Sequence, residues 1–297
     1  MIRNLLRRSA FLCTVVALIA FLVYLFQERL IFFPMKLDAP LEIKSPPDRV
    51  IEHVTFQAAD GTQLSGIWLG SAGQATTTEK IVASGTPESS PNQASRPVLL
   101  YSHGNGGNLG HRLGRLLEGF SQLPIDVFLY DYRGYGLSSG SPTVAGVISD
   151  AEGAAKWLRE VKGIPSEQLI LYGESLGTGV AVSLAKQLSW KVKAIVLESG
   201  FRSLSARSGE KIPFIGPFVL RGDLPSETLL REYSGPYFVI HSKGDGVNSF
   251  LHGEALYSAS PSTKKRKLTF EAWGHNDPVW QDPTYIPAWK EFLASLP

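Results

Sequence analysis

The sequence contains a single cysteine, Cys13, and has almost no surplus of charge of either sign. Its 297 residues carry 29 basic and 27 acidic side chains, a formal net charge of +2. One cysteine cannot form an intramolecular disulfide or a thiolate metal cluster. So small a positive excess gives no broad cationic surface for a phosphate backbone. The fold must therefore stand without covalent cross-links, and nucleic acid is not expected as a partner.

The glycine-rich segments also lack the motifs of nucleotide-binding loops. Neither "GNGGNLG" nor "GTGVAV" has the third glycine of a dinucleotide-binding turn, and neither contains the Gly-Lys-Ser/Thr of a P-loop. The H-E-x-x-H and paired-cysteine patterns of zinc sites are missing as well. We therefore expect no cofactor and no metal, so any chemistry must come from ordinary side chains.

One long apolar run is present, close to the N-terminus. Arg3, Arg7 and Arg8 precede an uncharged stretch from Ser9 to Gln27. Its apolar core of about 17 residues spans about 26 Å as a helix, close to the thickness of a hydrocarbon core. No small-x-small cleavage site follows, so a retained anchor is predicted, while a cleaved signal or a buried core helix stays open. The arginines place the N-terminus in the cytoplasm and the rest of the chain outside, in the periplasm of a bacterium.

The remaining sequence divides into a connector and one domain. Residues 1–34 are predicted to be the cytoplasmic tip and anchor, 35–47 a proline-rich connector, and 48–297 the globular domain. Within that domain, residues 70–97 have few apolar side chains and predict a surface insertion. Residues 201–235 leave the strand pattern and predict a short apolar lid over a pocket. No feature of the sequence indicates the oligomeric state.

From residue 98 onward, short apolar runs alternate with helical patterns, as in βαβ units around a buried parallel sheet. Strands are predicted at 98–101, 127–130, 169–171, 194–197, 238–240 and 267–270. Helices are predicted at 109–123, 144–161, 176–188, 251–257 and 285–296. Residues 50–69 predict a preceding hairpin. In open α/β sheets, functional side chains collect at the carboxyl ends of the strands.

A serine, an acid and a histidine each follow a different predicted strand, in that order along the chain. Ser175 lies in the G-x-S-x-G of "YGESLG", Asp245 follows the strand at 238–240, and His275 follows the last strand. A serine hydroxyl becomes a nucleophile when a histidine takes its proton and an acid orients that histidine. Glu198 also ends a strand and is an alternative acid.

The residues around Ser175 suit a strained strand-to-helix turn. Gly173 and Gly177 remove side chains that would clash at such a bend. The helix that begins at Leu176 directs its N-terminal amides at developing negative charge. A second donor to an oxyanion is predicted from the amide of Asn105, in the glycine-rich loop after the strand at 98–101. The alternative is that Ser175 is a structural turn residue only.

Taken together, these motifs resemble the α/β-hydrolase fold, and more closely the membrane-anchored α/β-hydrolase-domain serine hydrolases. The similarity covers most of residues 28–297, through "IFFP", "SHGNGGN", "DYRGYGLSSGSP", "YGESLGTGVAV", "VIHSKGDGV", "HGEAL" and "WGHND". It implies a mostly parallel central sheet flanked by helices, a short lid and an N-terminal transmembrane helix. It also implies that Ser175 is the nucleophile, Asp245 the acid and His275 the base.

The combined pattern predicts a serine esterase or thioesterase of acylated or lipid-like substrates, bound to the bilayer through its N-terminal helix. Two other classes stay open: a tethered binding or scaffold protein that keeps the fold without chemistry, and a serine peptidase. The sequence departs from the family at two positions near the acid. Ser242 stands where the family has glycine, and Ser249 stands where it has proline.

Overall fold

The apolar runs of the sequence form strands, and the amphipathic runs between them form helices. The computed structural model describes residues 2–72, 96–213 and 216–297. Its strands are β1 (Phe33–Pro34), β2 (Arg49–Gln57), β3 (Gln63–Ser71), β4 (Val98–Ser102), β5 (Gly106–Gly107), β6 (Asp126–Tyr130), β7 (Leu169–Glu174), β8 (Ala194–Glu198), β9 (Tyr237–Ser242) and β10 (Lys265–Phe270). Its α-helices are α1 (Ile2–Ile31), α2 (Val144–Val161), α3 (Leu176–Gln187), α4 (Leu204–Lys211), α5 (Gly216–Val219), α6 (Ser226–Leu230), α7 (Phe250–Ala259) and α8 (Tyr285–Ala294).

One large sheet organises the described part of the chain. It has eight strands in the order β10-β9-β8-β7-β4-β6-β3-β2. The strands from β10 to β6 are parallel to their neighbours, and the antiparallel hairpin of β2 and β3 completes the other edge. The predicted mostly parallel sheet flanked by helices is therefore confirmed.

Successive side chains of each strand point to opposite faces of the sheet, and an apolar layer covers each face. In β4, Val98 and Leu100 join the layer that contains α2 and α3. Leu99 and Tyr101 join the opposite layer, which contains α8. Because both faces are covered, the parallel strands are continuous apolar runs in the sequence.

The segment predicted as a helix at 109–123 differs most from the structure. It consists of two 3-10 turns and a π turn between them, at Leu109–Arg112, Arg115–Gly119 and Phe120–Gln122. Glycines within the segment lower its helix propensity. Trp280 packs against two of them, so closely that a Cβ on Gly114 would lie 3.0 Å from the Trp280 ring. This packing suits short turns better than a regular helix.

The N-terminal helix is longer than the predicted apolar run. With 30 residues, α1 is about 45 Å long. Its stretch Leu6–Ile31 has a mean hydropathy of 2.5 and is largely exposed, with Gln27 buried near its end, so by length and composition it is a candidate membrane span. Pro34 holds the preceding Phe33 in an extended conformation, and the helix ends just before this pair.

Two predicted segments interrupt the regular alternation of strands and helices. Most of the predicted insertion at 70–97 lies outside the described residues, which leave out 73–95. The predicted lid at 201–235 contains α4, α5 and α6 in its described part, between β8 and β9. Phe214 and Ile215, two apolar residues of that segment, lie outside the described residues.

Candidate active site

Ser175 occupies a sharp turn between β7 and α3. Its backbone has φ 52° and ψ −114°, a left-handed conformation that residues other than glycine rarely adopt. The flanking backbone leaves no room for side chains. A Cβ on Gly173 would lie 2.3 Å from the carbonyl oxygen of Gly177, and a Cβ on Gly177 would lie 1.9 Å from that of Ser102. The glycines of the motif are thus required by close backbone packing, and strain of this kind concentrates at functional sites.

His275 and Asp245 reach Ser175 from the loops after β10 and β9. Ser175 Oγ lies 3.0 Å from His275 Nε2, and His275 Nδ1 lies 2.7 Å from Asp245 Oδ2. Because β7, β9 and β10 are parallel, their carboxyl ends bring these loops to one edge of the sheet. The structure therefore brings together a hydroxyl, an imidazole and a carboxylate in the order that a serine nucleophile requires.

The surroundings of Asp245 favour its ionised form. Burial disfavours the charge, but the hydrogen bond and charge of His275 outweigh it, together with the backbone N–H groups of Val247 and Asn248. Each of these two amides donates to Asp245 Oδ1 at 2.8 Å. The net effect lowers the pKa of Asp245 below its ordinary value. With Asp245 ionised, His275 carries its proton on Nδ1, and Nε2 is free to accept the proton of Ser175.

A second histidine lies beside the same carboxylate. His241 Nε2 is 3.5 Å from Asp245 Oδ2 and 3.0 Å from the carbonyl oxygen of Asn248. Burial lowers the pKa of His241 below its ordinary value. The ring is therefore neutral at neutral pH and donates its Nε2 proton to the carbonyl of Asn248, so the shorter contact of Asp245 Oδ2 is the one with His275 Nδ1 at 2.7 Å.

The two serines that depart from the family pattern both stabilise the turn around Asp245. Ser242 Oγ accepts the backbone N–H of Gly244 at 3.1 Å. Ser249 is the N-cap of α7, and its Oγ accepts the N–H of Leu251 at 3.4 Å. Serine side chains commonly satisfy backbone amides in this way at turns and helix starts. The departures thus leave the carboxylate within reach of His275.

Glu198, the alternative acid, is bonded to other residues. One carboxylate oxygen accepts the hydroxyl of Tyr285 at 2.8 Å, and the other is paired with the guanidinium of Arg115. Arg115 also donates to the hydroxyl of Tyr172 at 2.8 Å, and all four side chains are buried. These contacts satisfy the Glu198 carboxylate, and the structure places Asp245 next to His275.

The two predicted oxyanion donors lie on either side of the turn. Leu176 is the first residue of α3, so its N–H belongs to the amides that have no partner within the helix. Asn105 follows β4, which pairs directly with β7. The Asn105 carbonyl accepts the N–H of Phe33 at 2.9 Å, and its side-chain amide donates to the carbonyl of Ile31 at 2.9 Å. Asn105 is therefore held firmly beside the Ser175 turn.

The chain that follows α1 contacts the loop that carries Asn105. The sequence predicts an anchor over residues 1–34 and a connector over 35–47; in the structure, β1 at the end of the first segment pairs in parallel with β5, and Met35, the first residue of the second, donates to the carbonyl of Gly107 at 3.0 Å. The chain beyond α1 thus forms one side of the loop that carries Asn105. The available signal was "IFFP" at residues 31–34, an apolar segment that continues beyond the charged Glu28 and Arg29.

Two cavities meet at Ser175 and Asn105. The first, of about 260 Å³, lies between α1 and the predicted lid and is mainly apolar, with Val23, Leu30, Ile31, Leu204, Ile212 and Leu220 among its lining residues. The second, of about 520 Å³, has a more polar lining and is called the polar cavity below; it includes His111, Arg112, Glu174, His275 and Asn276, with Phe33, Met35 and Trp280 as its apolar members. His275 thus lines the polar cavity and is absent from the described lining of the apolar one.

Glu174, directly before Ser175, is an ionised group to which sequence analysis assigned no role. Its carboxylate lies 3.2 Å from Nε of Arg112 and accepts the hydroxyl of Tyr101. Burial disfavours its charge, but the nearby Arg112 and Arg115 outweigh burial and lower the pKa of Glu174 to about 2. The signal for this pair is an acid at the end of an apolar strand, which needs a cationic partner when buried.

The chain is similar to known α/β-hydrolase proteins. Residues 97–221 match the sequence profile of a family described as alpha/beta hydrolase fold. Protein bem46 of Schizosaccharomyces pombe is 32% identical over 204 residues, which cover 67% of this chain and 68% of the yeast protein. Alpha/beta hydrolase domain-containing protein 17C of Mus musculus is 33% identical over 205 residues, 68% of this chain. This alignment spans 61% of the mouse protein's length.

Two solved structures share the fold at low sequence identity. The esterase Pf2001 of Pyrococcus furiosus has a TM-score of 0.64 and 18% identity, and the match covers 88% of this chain and 99% of that one. An acetyl xylan esterase from Paenibacillus sp. R4 has a TM-score of 0.62 and 18% identity, with 88% and 89% covered. These likenesses concern the fold.

The low pKa of Glu174 predicts acid sensitivity. Its folded pKa of about 2 lies below the ordinary value of 4.5, so the unfolded chain binds more protons between these values. The stability that Glu174 contributes is fully present above pH 4.5 and is lost as the pH falls through 2. We expect the free energy of unfolding to fall less steeply with acidification in Glu174→Gln than in the wild type, measured by denaturant unfolding in detergent.

The control for this measurement is Glu271→Gln, which removes a carboxylate on an exposed side chain. This variant is expected to keep the wild-type slope. A Glu174→Gln slope equal to that of the wild type would contradict the assignment of Glu174 as the acid-sensitive group.

Proposed function

The chain belongs to the α/β-hydrolase fold family, and on that premise we propose that it is a serine hydrolase of carboxylic esters or thioesters. The observation that carries the proposal is the pair of contacts from Ser175 to His275 and from His275 to Asp245, at 3.0 and 2.7 Å. In the first step, His275 Nε2 takes the proton of Ser175 Oγ as the hydroxyl attacks the acyl carbonyl. Asp245 orients the ring and stabilises the imidazolium that forms.

The negative charge of the tetrahedral intermediate needs donors that are already in place. We assign this role to the backbone amides of Leu176 and Asn105. His275 then gives its proton to the leaving alcohol or thiol, and the acyl group remains on Ser175. A water molecule, deprotonated by His275, attacks this acyl-enzyme; the acid leaves and the serine is restored.

We place the leaving group and the acyl group of the substrate in different cavities. Because His275 protonates the leaving group, the leaving group belongs in the polar cavity that His275 lines, beside Arg112. The acyl group then occupies the apolar pocket on the other side of Ser175. An apolar acyl chain joined to a polar leaving group is the composition of lipid-like and acylated substrates. Two structural neighbours that bear the name esterase add support for ester hydrolysis.

The N-terminal helix α1 would hold the catalytic domain at a membrane surface. We propose that α1 stays attached as a membrane anchor, because its end near Ile31 is bonded to Asn105 in the site. The arginines before the apolar stretch support a cytoplasmic N-terminus and a catalytic domain on the opposite side of the membrane.

An activated serine reacts with a fluorophosphonate, whereas an idle turn serine does not. We expect the full chain in nanodiscs to be labelled and to hydrolyse p-nitrophenyl butyrate. In Ser175→Ala, labelling should vanish and kcat should fall by about 10⁴-fold or more. Ser183→Ala, in the same helix α3, is the control and should retain both properties. A wild-type chain that is neither labelled nor active would make the tethered binding protein the better account.

The choice between the two acids is testable with Asp245→Asn and Glu198→Gln. Asp245→Asn should lower kcat by about 10⁴-fold, since the His275 ring loses the partner that fixes its tautomer. Glu198→Gln should lower the midpoint of thermal unfolding, because Arg115 loses a buried partner. The folded fraction of Glu198→Gln should keep kcat within about tenfold of the wild type. A larger loss of kcat in folded Glu198→Gln than in Asp245→Asn would exchange the two assignments.

A further inference from the structure

We infer that the end of the membrane helix α1, from Val23 to Ile31, is one wall of the acyl-binding pocket, so that the enzyme takes long acyl chains from the bilayer in which this helix lies. The inference rests on the proposed function, because it concerns the acyl side of the same site. It assigns to α1 a part in substrate selection in addition to anchoring.

One face of α1 forms this wall. Val23, Gln27, Leu30 and Ile31 all line the apolar pocket together with Ser175. Their spacing of i, i+4, i+7 and i+8 places them on a single stripe of the helix. Leu25, on a different face, is 44% exposed and does not belong to the described lining. The helix therefore presents one apolar face to the pocket and another to lipid.

A buried amide fixes this wall to the opposite side of the pocket. Gln27 is only 2% exposed; its Oε1 accepts the N–H of Arg221 at 2.7 Å, and its Nε2 donates to the carbonyl of Val219 at 3.2 Å. Glu28 pairs with the guanidinium of Arg221. An amide at the end of an apolar span is unfavourable unless it is hydrogen-bonded. These bonds hold the helix and the lid segment as one unit around the pocket.

The same end of α1 is joined to the chemistry of the site. The carbonyl of Ile31 accepts the side-chain amide of Asn105 at 2.9 Å, and Phe33 donates to the carbonyl of Asn105 at 2.9 Å. A chain that binds along α1 therefore has its ester group beside the residue that we assign to the oxyanion. These two hydrogen bonds hold the α1 wall of the pocket at a fixed position relative to the reacting groups.

Large apolar side chains stay exposed where α1 meets the domain. Leu30, which lines the apolar pocket, is 58% exposed, and Phe218, in α5 against α1, is 86% exposed. Exposed apolar patches of this kind mark surfaces that meet a membrane or a partner, and the span in α1 places this patch at a bilayer. Apolar surface thus runs from the bilayer into the pocket, so a long acyl chain reaches Ser175 without crossing water.

Enlarging a side chain of the wall tests this inference. In Val23→Trp the indole would fill part of the pocket, and a pocket discriminates strongly against chains that no longer fit. We expect the ratio of kcat/KM for p-nitrophenyl palmitate to that for p-nitrophenyl butyrate to fall about tenfold or more, measured on the full chain in nanodiscs. Leu25→Trp adds the same indole on the lipid-facing side and should keep the wild-type ratio.

The outcomes of this experiment separate the inference from the proposed function. Equal ratios in the wild type, Val23→Trp and Leu25→Trp would overturn the inference, while the proposed function would stand if Ser175→Ala is inactive. A wild-type chain inert to both esters would overturn the proposed function itself.

A second measurement does not depend on how Val23→Trp folds. A fluorophosphonate with a long alkyl chain and a terminal diazirine is reacted with Ser175 in the wild-type chain and then illuminated. Mass spectrometry should show that the diazirine of the probe has reacted with residues in the range 23–31 of α1. Cross-links confined to the lid helix α4 or to the sheet would overturn the inference.

Discussion

The site depends on a close backbone approach between α3 and β4. A Cβ on Gly177 would lie only 1.9 Å from the carbonyl oxygen of Ser102, so only glycine fits at this position. This approach brings the N-terminus of α3 against the chain that leads to Asn105, directly after the left-handed backbone of Ser175. The approach keeps the Ser175 hydroxyl and the first amides of α3 beside Asn105, which is the arrangement that the proposed chemistry needs. Strained backbone of the kind found at Ser175 persists only where the surrounding packing holds it, and it concentrates at functional sites.

Ion pairs at the carboxyl ends of β7 and β8 stabilise this arrangement. Glu174 and Glu198 end the neighbouring strands β7 and β8 in register, so two carboxylates lie close to the base of the site. Each has an arginine from the segment after β4: Arg112 for Glu174 and Arg115 for Glu198. A buried carboxylate without a partner would be strongly unfavourable. The irregular turns of that segment, in place of a regular helix, set the position from which both guanidinium groups reach the strands.

Sequence reasoning succeeded where the signal is local and failed where it depends on distant contacts. The helix Val144–Val161 has the predicted bounds, since periodicity and the capping Thr143 determine it. Ser175, Asp245 and His275 lie within hydrogen-bond distance along the series, because each follows its own strand and parallel strands share one edge. Arg115 and Glu198 are 83 residues apart, and no local pattern joins them. The contribution of α1 was missed because its composition is fully explained by a membrane span.

Gln27 distinguishes two roles for α1: a membrane anchor alone, and an anchor that also forms a wall of the apolar pocket. A helix that only anchors a protein gains nothing from an amide at the end of its apolar stretch, where burial without partners costs about 1–3 kcal/mol. In this chain Nε2 donates to the carbonyl of Tyr24 in the same helix at 2.8 Å, and each of the two polar atoms also has a partner in the segment on the far side of the apolar pocket. The bonds are useful only if the helix and that segment keep a fixed distance. A fixed distance between two apolar walls, with Ser175 at the end of the space between them, is what selection of an acyl chain requires.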